Sequence, residues 1–325
     1  MKLESKIILV LVLLSPVLGE LLSGSAPPLE FFTPFSFVII VAFYGGGTLL
    51  IREAKARWNL QWSVGFLAVA YGILEEGTMM QSFFNFNHAD LGQMSQYGTY
   101  FGVQWPWTLM LILYHATIST LIPIAMVELL WPQYKSTPLL KKKGLILTSA
   151  AVIVTTVIMM VLVWTLQAEY PITYVPDPML LLGSVVVILM LIWLAYNFRK
   201  NLVTTKTLSL FHPFIFAVFG FFLHFGNLFL PSILAENQVD GLVTILVQCV
   251  GIVLVLLFVK YQFLHQKITK HHISSFIFGS IIFWIVLTPI QEFINGSTAM
   301  SVIGGISLVL LVYWRHIVLK QQLST

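Results

Sequence analysis

The chain has 325 residues, of which 58% are hydrophobic and 9% charged, with a mean hydropathy of +0.90. That is far outside the composition of a soluble globular domain. The net charge of +4 sits in short basic clusters between apolar runs rather than in one patch, so the expected partner is the lipid bilayer and not nucleic acid. A single cysteine, Cys249, lies inside an apolar run, which excludes an intrachain disulfide and a Cys-ligated zinc or iron–sulfur site within one chain.

A hydrocarbon core roughly 30 Å thick takes about 20 apolar residues per helix. Breaking the apolar runs at charges, prolines and polar clusters predicts ten spans, at 6–23, 34–51, 60–80, 104–130, 144–167, 179–197, 208–230, 242–261, 273–293 and 298–318. The expected fold is therefore an all-α, multi-pass transmembrane bundle, one integral domain over 1–325 in the cell membrane. The first segment also reads as a signal peptide with cleavage near Gly19, but apolar character resumes at Leu21 and Leu22, which favours an uncleaved helix. All 17 Lys and Arg fall in alternate inter-span segments, which predicts an N-in, C-in orientation. Acidic residues show the opposite bias. Glu30, Asp90, Glu169, Asp177, Glu236 and Asp240 lie in outer loops, as solvated acids or as the mark of an outward-facing cation site. The outer loop from Gln81 to Val103 mixes aromatic and polar residues, as an interfacial cap does.

Within the second span, Gly45, Gly46 and Gly47 follow Tyr44 with no strand and no lysine nearby, so close helix packing is expected there rather than a phosphate loop. The third span contains Glu75 and Glu76, about 23 Å in from its inner end at a rise of ~1.5 Å per residue. A carboxylate in lipid carries a penalty of about 2.5 to 3.5 kcal/mol on insertion scales, so an intramembrane acid is a functional candidate. Neighbouring helix positions diverge by ~100°, so at most one of the pair is expected to aim at a given centre. His115 falls near the midplane of the fourth span, with Thr117, Ser119 and Thr120 available as hydrogen-bond partners. His224 reaches the outer half of the seventh span with Asn227 about one turn on, sharing its face. Glu20 and Glu292, near outer span ends, read as interfacial acids, and His265, His271 and His272 as part of a solvated basic loop.

Carboxylates and imidazoles from the third, fourth and seventh spans thus share one depth. One Glu and two His can bind a zinc-like divalent metal while leaving a position for water, and a second Glu can act as base on that water. The expected ligands are Glu76, His115 and His224, with Glu75 and Asn227 completing the catalytic set; which of Glu75 and Glu76 faces the interior stays open. The same groups can instead relay protons or bind a transported cation.

A Glu-Glu pair on one span followed by two separate intramembrane histidines resembles the CPBP family of CAAX-processing-type intramembrane proteases, and more loosely their PrsW-type relatives. Their pattern runs EExxxR, FxxxH and HxxxN or HxxxD. The resemblance implies a metal-dependent or water-activating glutamate protease, with Glu75 and Glu76 as the acidic pair, His115 as the first histidine and His224 as the second. Leu111 replaces the Phe, Met80 stands at the Arg position, and Asn227 comes one position before the expected Asn or Asp, where Leu228 stands. The functional expectation is a membrane-embedded hydrolase of the protease type, with no sequence feature naming its substrate, a membrane peptide or a small solute. The alternatives are a secondary transporter or proton-coupled carrier for a small solute, and a non-catalytic membrane scaffold.

Overall fold

The computed structural model describes residues 2–166, 177–199 and 209–323. The expected acid Glu169 and the expected inner-face residues Lys200 and Lys206 lie outside them. Ten long helical segments follow one another along the described chain. They are α1 (residues 3–21), α2 (Pro34–Trp58), α3 (residues 64–79), α4 (Trp105–Leu130), α5 (Lys142–Leu166), α6 (Pro178–Asn197), α7 (Pro213–Glu236), α8 (Gly241–Phe263), α9 (Lys270–Asn295) and α10 (Met300–Leu323). The protein is an all-α polytopic membrane bundle.

Eight of these segments, α2 and α4 to α10, are long and apolar enough to cross a membrane among the described residues. Each of the ten expected spans is matched by one of these helical segments, and eight of them meet that length and composition. The two that fall short are α1, with Glu4, Lys6 and Glu20, and α3, only sixteen residues long with Glu75 and Glu76 near its outer end. Helix α3 runs through the interior, whereas α1 is buried on one face and exposes Leu9, Val10 and Leu13 on the other. Helix α1 buries Ile7, Leu11 and Ser15, and the Ser15 hydroxyl reaches the carbonyls of Tyr44 and Ser119 and the Thr48 hydroxyl. By contrast α5, α6, α8 and α10 expose long apolar faces such as Val154, Leu189, Leu254 and Val309, as helices solvated by acyl chains must.

Contacts between loops sort them onto two faces. Arg52, Lys55 and Arg57 at the end of α2 bond to Tyr134, Glu128 and Leu140, and the Phe211 amide donates to Gln262; these segments are the ones that carry the basic clusters. On the opposite face Tyr97 bonds to Val239 and Thr244, and Gln291 donates to the Ser23 carbonyl. The cap expected between Gln81 and Val103 is present. It contains a two-residue hairpin pairing Thr99–Tyr100 with Val103–Gln104, and buries Phe83, Phe84, Leu91 and Met94.

Part of the acidic bias toward this outer face has a local cause. Asp177 accepts from the Met179 amide and Asp240 from the Leu242 amide, capping α6 and α8. Glu292 accepts from Ala299 and Ser301 at the start of α10. These helices begin on the outer side, and a carboxylate beside the free N–H groups of a helix start is favoured by both hydrogen bonding and the helix dipole.

Small residues set the closest helix approaches. A Cβ on Gly45 would lie 2.3 Å from the Val12 carbonyl oxygen, and one on Gly47 would lie 2.4 Å from the Tyr71 ring. The glycine run thus brings α2 against α1 and α3. Between α7 and α9 a Cβ on Gly279 would fall 1.9 Å from the Ala217 carbonyl oxygen, so even alanine forces the two backbones apart. Gly279→Ala is expected to destabilise the protein by about 1–3 kcal/mol through overpacking, read by denaturant unfolding in micelles; an unchanged midpoint would contradict that packing.

Candidate acid–imidazole centre

Four helices of the interior each contain a π-helical turn, in which the i→i+5 hydrogen bond widens the backbone by one residue. The turns are Val17–Leu21 in α1, Val41–Gly45 in α2, Ile73–Met79 in α3 and His115–Leu121 in α4. The amides of Leu22 and Met80 donate to Val17 and Glu75, each at 2.8 Å, in this register. Such turns are rare and recur at functional sites. Here they hold Glu20, Tyr44, Glu75 with Glu76, and His115 with Ser119, and these side chains meet.

His115 is the hub, 2% exposed. Its Nε2 lies 3.0 Å from Glu76 Oε1, and its Nδ1 lies 3.0 Å from Glu75 Oε2 and 3.2 Å from the Ser119 hydroxyl. The expectation that only one acid of the pair could aim inward is therefore corrected. An imidazole presents nitrogens on two edges, and adjacent residues of the widened turn reach one each. Glu76 also accepts from the Ser82 hydroxyl, which in turn accepts from the Trp107 indole at 3.1 Å. Glu75 Oε1 accepts from Tyr44, whose hydroxyl contacts Glu20 Oε1 as well. Glu75 Oε2 is buried and, despite its closeness to the ring, receives no aligned hydrogen bond.

The electrostatics follow from counting. With every acid ionised and the imidazole protonated, three negative charges face one positive in a site largely closed to solvent. Burying such an imbalance is costly unless protons or a cation offset it. One ligand atom each from Glu75, Glu76 and His115 can be chosen so that all lie within 4.8 Å of one another, a grouping able to hold a metal ion. The 3.0 Å between His115 Nε2 and Glu76 Oε1 suits two ligands of one ion at bond lengths near ~2 Å.

The expected ligand set of Glu76, His115 and His224 is not brought together; Glu75 takes the third place. His224 is buried on α7 against α9, its ring 6.3 Å from that of Phe283 and 6.1 Å from that of Trp284. Trp284 packs on Tyr114, and Tyr114 on His115. Equal depth placed His224 beside His115 in the sequence reading, but its direction around α7 differs. Asn227 does not join His224 in a site either: its amide donates to the Met110 carbonyl at 2.9 Å, tying α7 to α4. Sequence reasoning missed Tyr44 and left Glu20 as an interfacial acid. The signal available for both was an ionisable or hydroxyl group next to glycine, at Gly19 and Gly45, where helices approach closely.

A helical bundle with buried carboxylates gathered on an intramembrane histidine defines a multi-pass membrane protein with a polar interior centre. The chain matches an uncharacterized membrane protein family over residues 9–319 and belongs to it. No curated protein and no solved structure matches the chain.

Proposed function

We propose that the protein is a membrane-embedded hydrolase, of the intramembrane protease type, whose reaction centre is Glu75, Glu76 and His115 with Glu20 and Tyr44 alongside. The observation that carries this reading is the pair of adjacent carboxylates on the two nitrogens of one buried imidazole, with a Glu75 oxygen left without a hydrogen bond. Proton transfer to and from water needs a base and an acid within hydrogen-bond reach of each other, and this grouping supplies both. The oxygen and nitrogen donors of Glu75, Glu76 and His115 also suit a zinc-like divalent ion, which when bound would make water a nucleophile at neutral pH. Ser82 orients the Glu76 carboxylate, and Tyr44 orients that of Glu75.

The test uses the protein in nanodiscs, stripped with chelator and titrated with Zn²⁺, alongside cleavage of a fluorogenic transmembrane peptide set. Expected results are binding of about one ion per chain, abolished by His115→Ala, and cleavage reduced at least ~100-fold by Glu76→Gln, the range by which general acid–base groups act. Cleavage indifferent to both substitutions would overturn the proposal.

A second reading, a proton-coupled carrier, draws on a different observation. The string Glu20, Tyr44, Glu75, His115, Glu76 and Ser82 crosses α1, α2, α3, α4 and the outer cap through hydrogen bonds and one close Glu75–His115 contact of 3.0 Å, the kind of chain along which a proton relay is built. Solute flux in proteoliposomes that follows a proton gradient and survives chelation would favour it over hydrolysis.

A further inference from the structure

The contact between α7 and α9 contains a second polar grouping that the acid centre does not use. Two rungs compose it. Gly220 faces Ser280, whose hydroxyl would lie 2.7 Å from a Cβ on that glycine, and one turn further along both helices His224 faces Trp284, with ring centroids 6.1 Å apart. Ser280 is 0%, His224 1% and Trp284 5% exposed. Yet the Ser280 hydroxyl, both imidazole nitrogens of His224 and the indole nitrogen of Trp284 have no hydrogen-bond partner among protein groups. Buried polar atoms in folded proteins are satisfied almost without exception, by protein or by ordered water, so four unpartnered atoms on adjoining turns point to a shared ligand.

The chemistry of these atoms narrows its class. An indole N–H only donates, which disfavours a cation; a neutral imidazole offers one donor and one acceptor, and a hydroxyl offers both. No carboxylate belongs to the group. The complementary ligand is small, neutral, and able to donate and accept at once. We infer that the α7–α9 contact is an internal water site, in which His224, Ser280 and Trp284 hold water between the helices. It is separate from the acid centre, from which the edge-to-face rings of Trp284 and Tyr114 divide it, and it stands independently of the hydrolase reading. His224 thereby acquires a role that needs neither metal nor catalysis.

Radiolytic hydroxyl-radical labelling in nanodiscs tests this, because radicals generated from a bound water oxidise the side chains beside it even when bulk solvent is excluded. Trp314 is the internal control. It is 6% exposed, close to Trp284, but its indole donates to the Met126 carbonyl at 3.2 Å. Trp284 is expected to label at least ~5-fold faster than Trp314 and, after equilibration in H₂¹⁸O, to carry ¹⁸O. His224→Gln, which keeps a donor and an acceptor, should retain the fast labelling, while His224→Phe should reduce Trp284 to the rate of Trp314. Equal rates for the two tryptophans in the unsubstituted protein would overturn the inference, as would undiminished labelling in a folded His224→Phe variant. Should that variant not fold, the comparison of the two tryptophans in the unsubstituted and His224→Gln proteins still decides.

Discussion

Substitution of His115 by leucine is expected to lower the stability of the protein by about 3–5 kcal/mol, the cost of removing one partner from a buried ion pair. Leucine fills much of the imidazole volume, so little of the loss would come from a cavity. What it removes is the cation-forming group on which Glu75 and Glu76 converge, each at 3.0 Å. Glu76 would keep only Ser82, and Glu75 only Tyr44. The electrostatic origin is separable from packing. Adding Glu75→Gln and Glu76→Gln to His115→Leu replaces the stranded carboxylates with neutral amides, and should recover at least half of the loss. Unfolding by denaturant titration in micelles reads both quantities. A loss below about 1 kcal/mol for His115→Leu, or no recovery in the triple variant, would show that the centre is not held by charge.

The sequence discloses the solvent of this protein more fully than its centre. Apolar runs and the segregation of Lys and Arg are properties of segments tens of residues long, and the ten helices lie close to where those runs predict them. Glu75, Glu76 and His115 are visible for a related reason, since an ionisable group inside an apolar run demands a partner wherever it folds. The partners themselves are not visible. Depth can be counted along a helix, but direction around it depends on the local register, and a single π-helical turn shifts every later residue around the axis. Four such turns lie in the helices that build the centre. Hence Glu75 and Glu76 reach one imidazole although an ideal helix would splay them, and Tyr44 joins Glu20 to Glu75 although nothing in the local sequence pairs them. His224 shows the converse. Its depth suggested a place beside His115, while its direction turns it toward Phe283 and Trp284.

Glu53 is expected to be the residue whose loss most damages the inner face. It is 0% exposed and accepts from four donors: Arg52 at 2.8 Å, Arg57 at 3.2 Å, and the amides of Leu139 at 2.7 Å and Leu140 at 3.2 Å. Two of these are guanidinium groups of its own helix. The other two belong to the chain entering α5, so one carboxylate fastens that segment to the end of α2. Glu53→Ala leaves Arg52, itself 2% exposed, with the Tyr134 carbonyl but without its counter-charge, and leaves two backbone amides seeking water. The expected loss is about 3–5 kcal/mol. Glu53→Gln, which still offers one acceptor oxygen, should lose roughly half as much. Because the tether holds the approach to Lys141, Lys142 and Lys143, trypsin added to the inner face should cut there at least ~10-fold faster in Glu53→Ala. That ratio corresponds to about 1.4 kcal/mol of easier local opening, well within the expected loss. Cleavage at the original rate would mean that Arg57 and its bond to the Leu140 carbonyl hold the segment without Glu53.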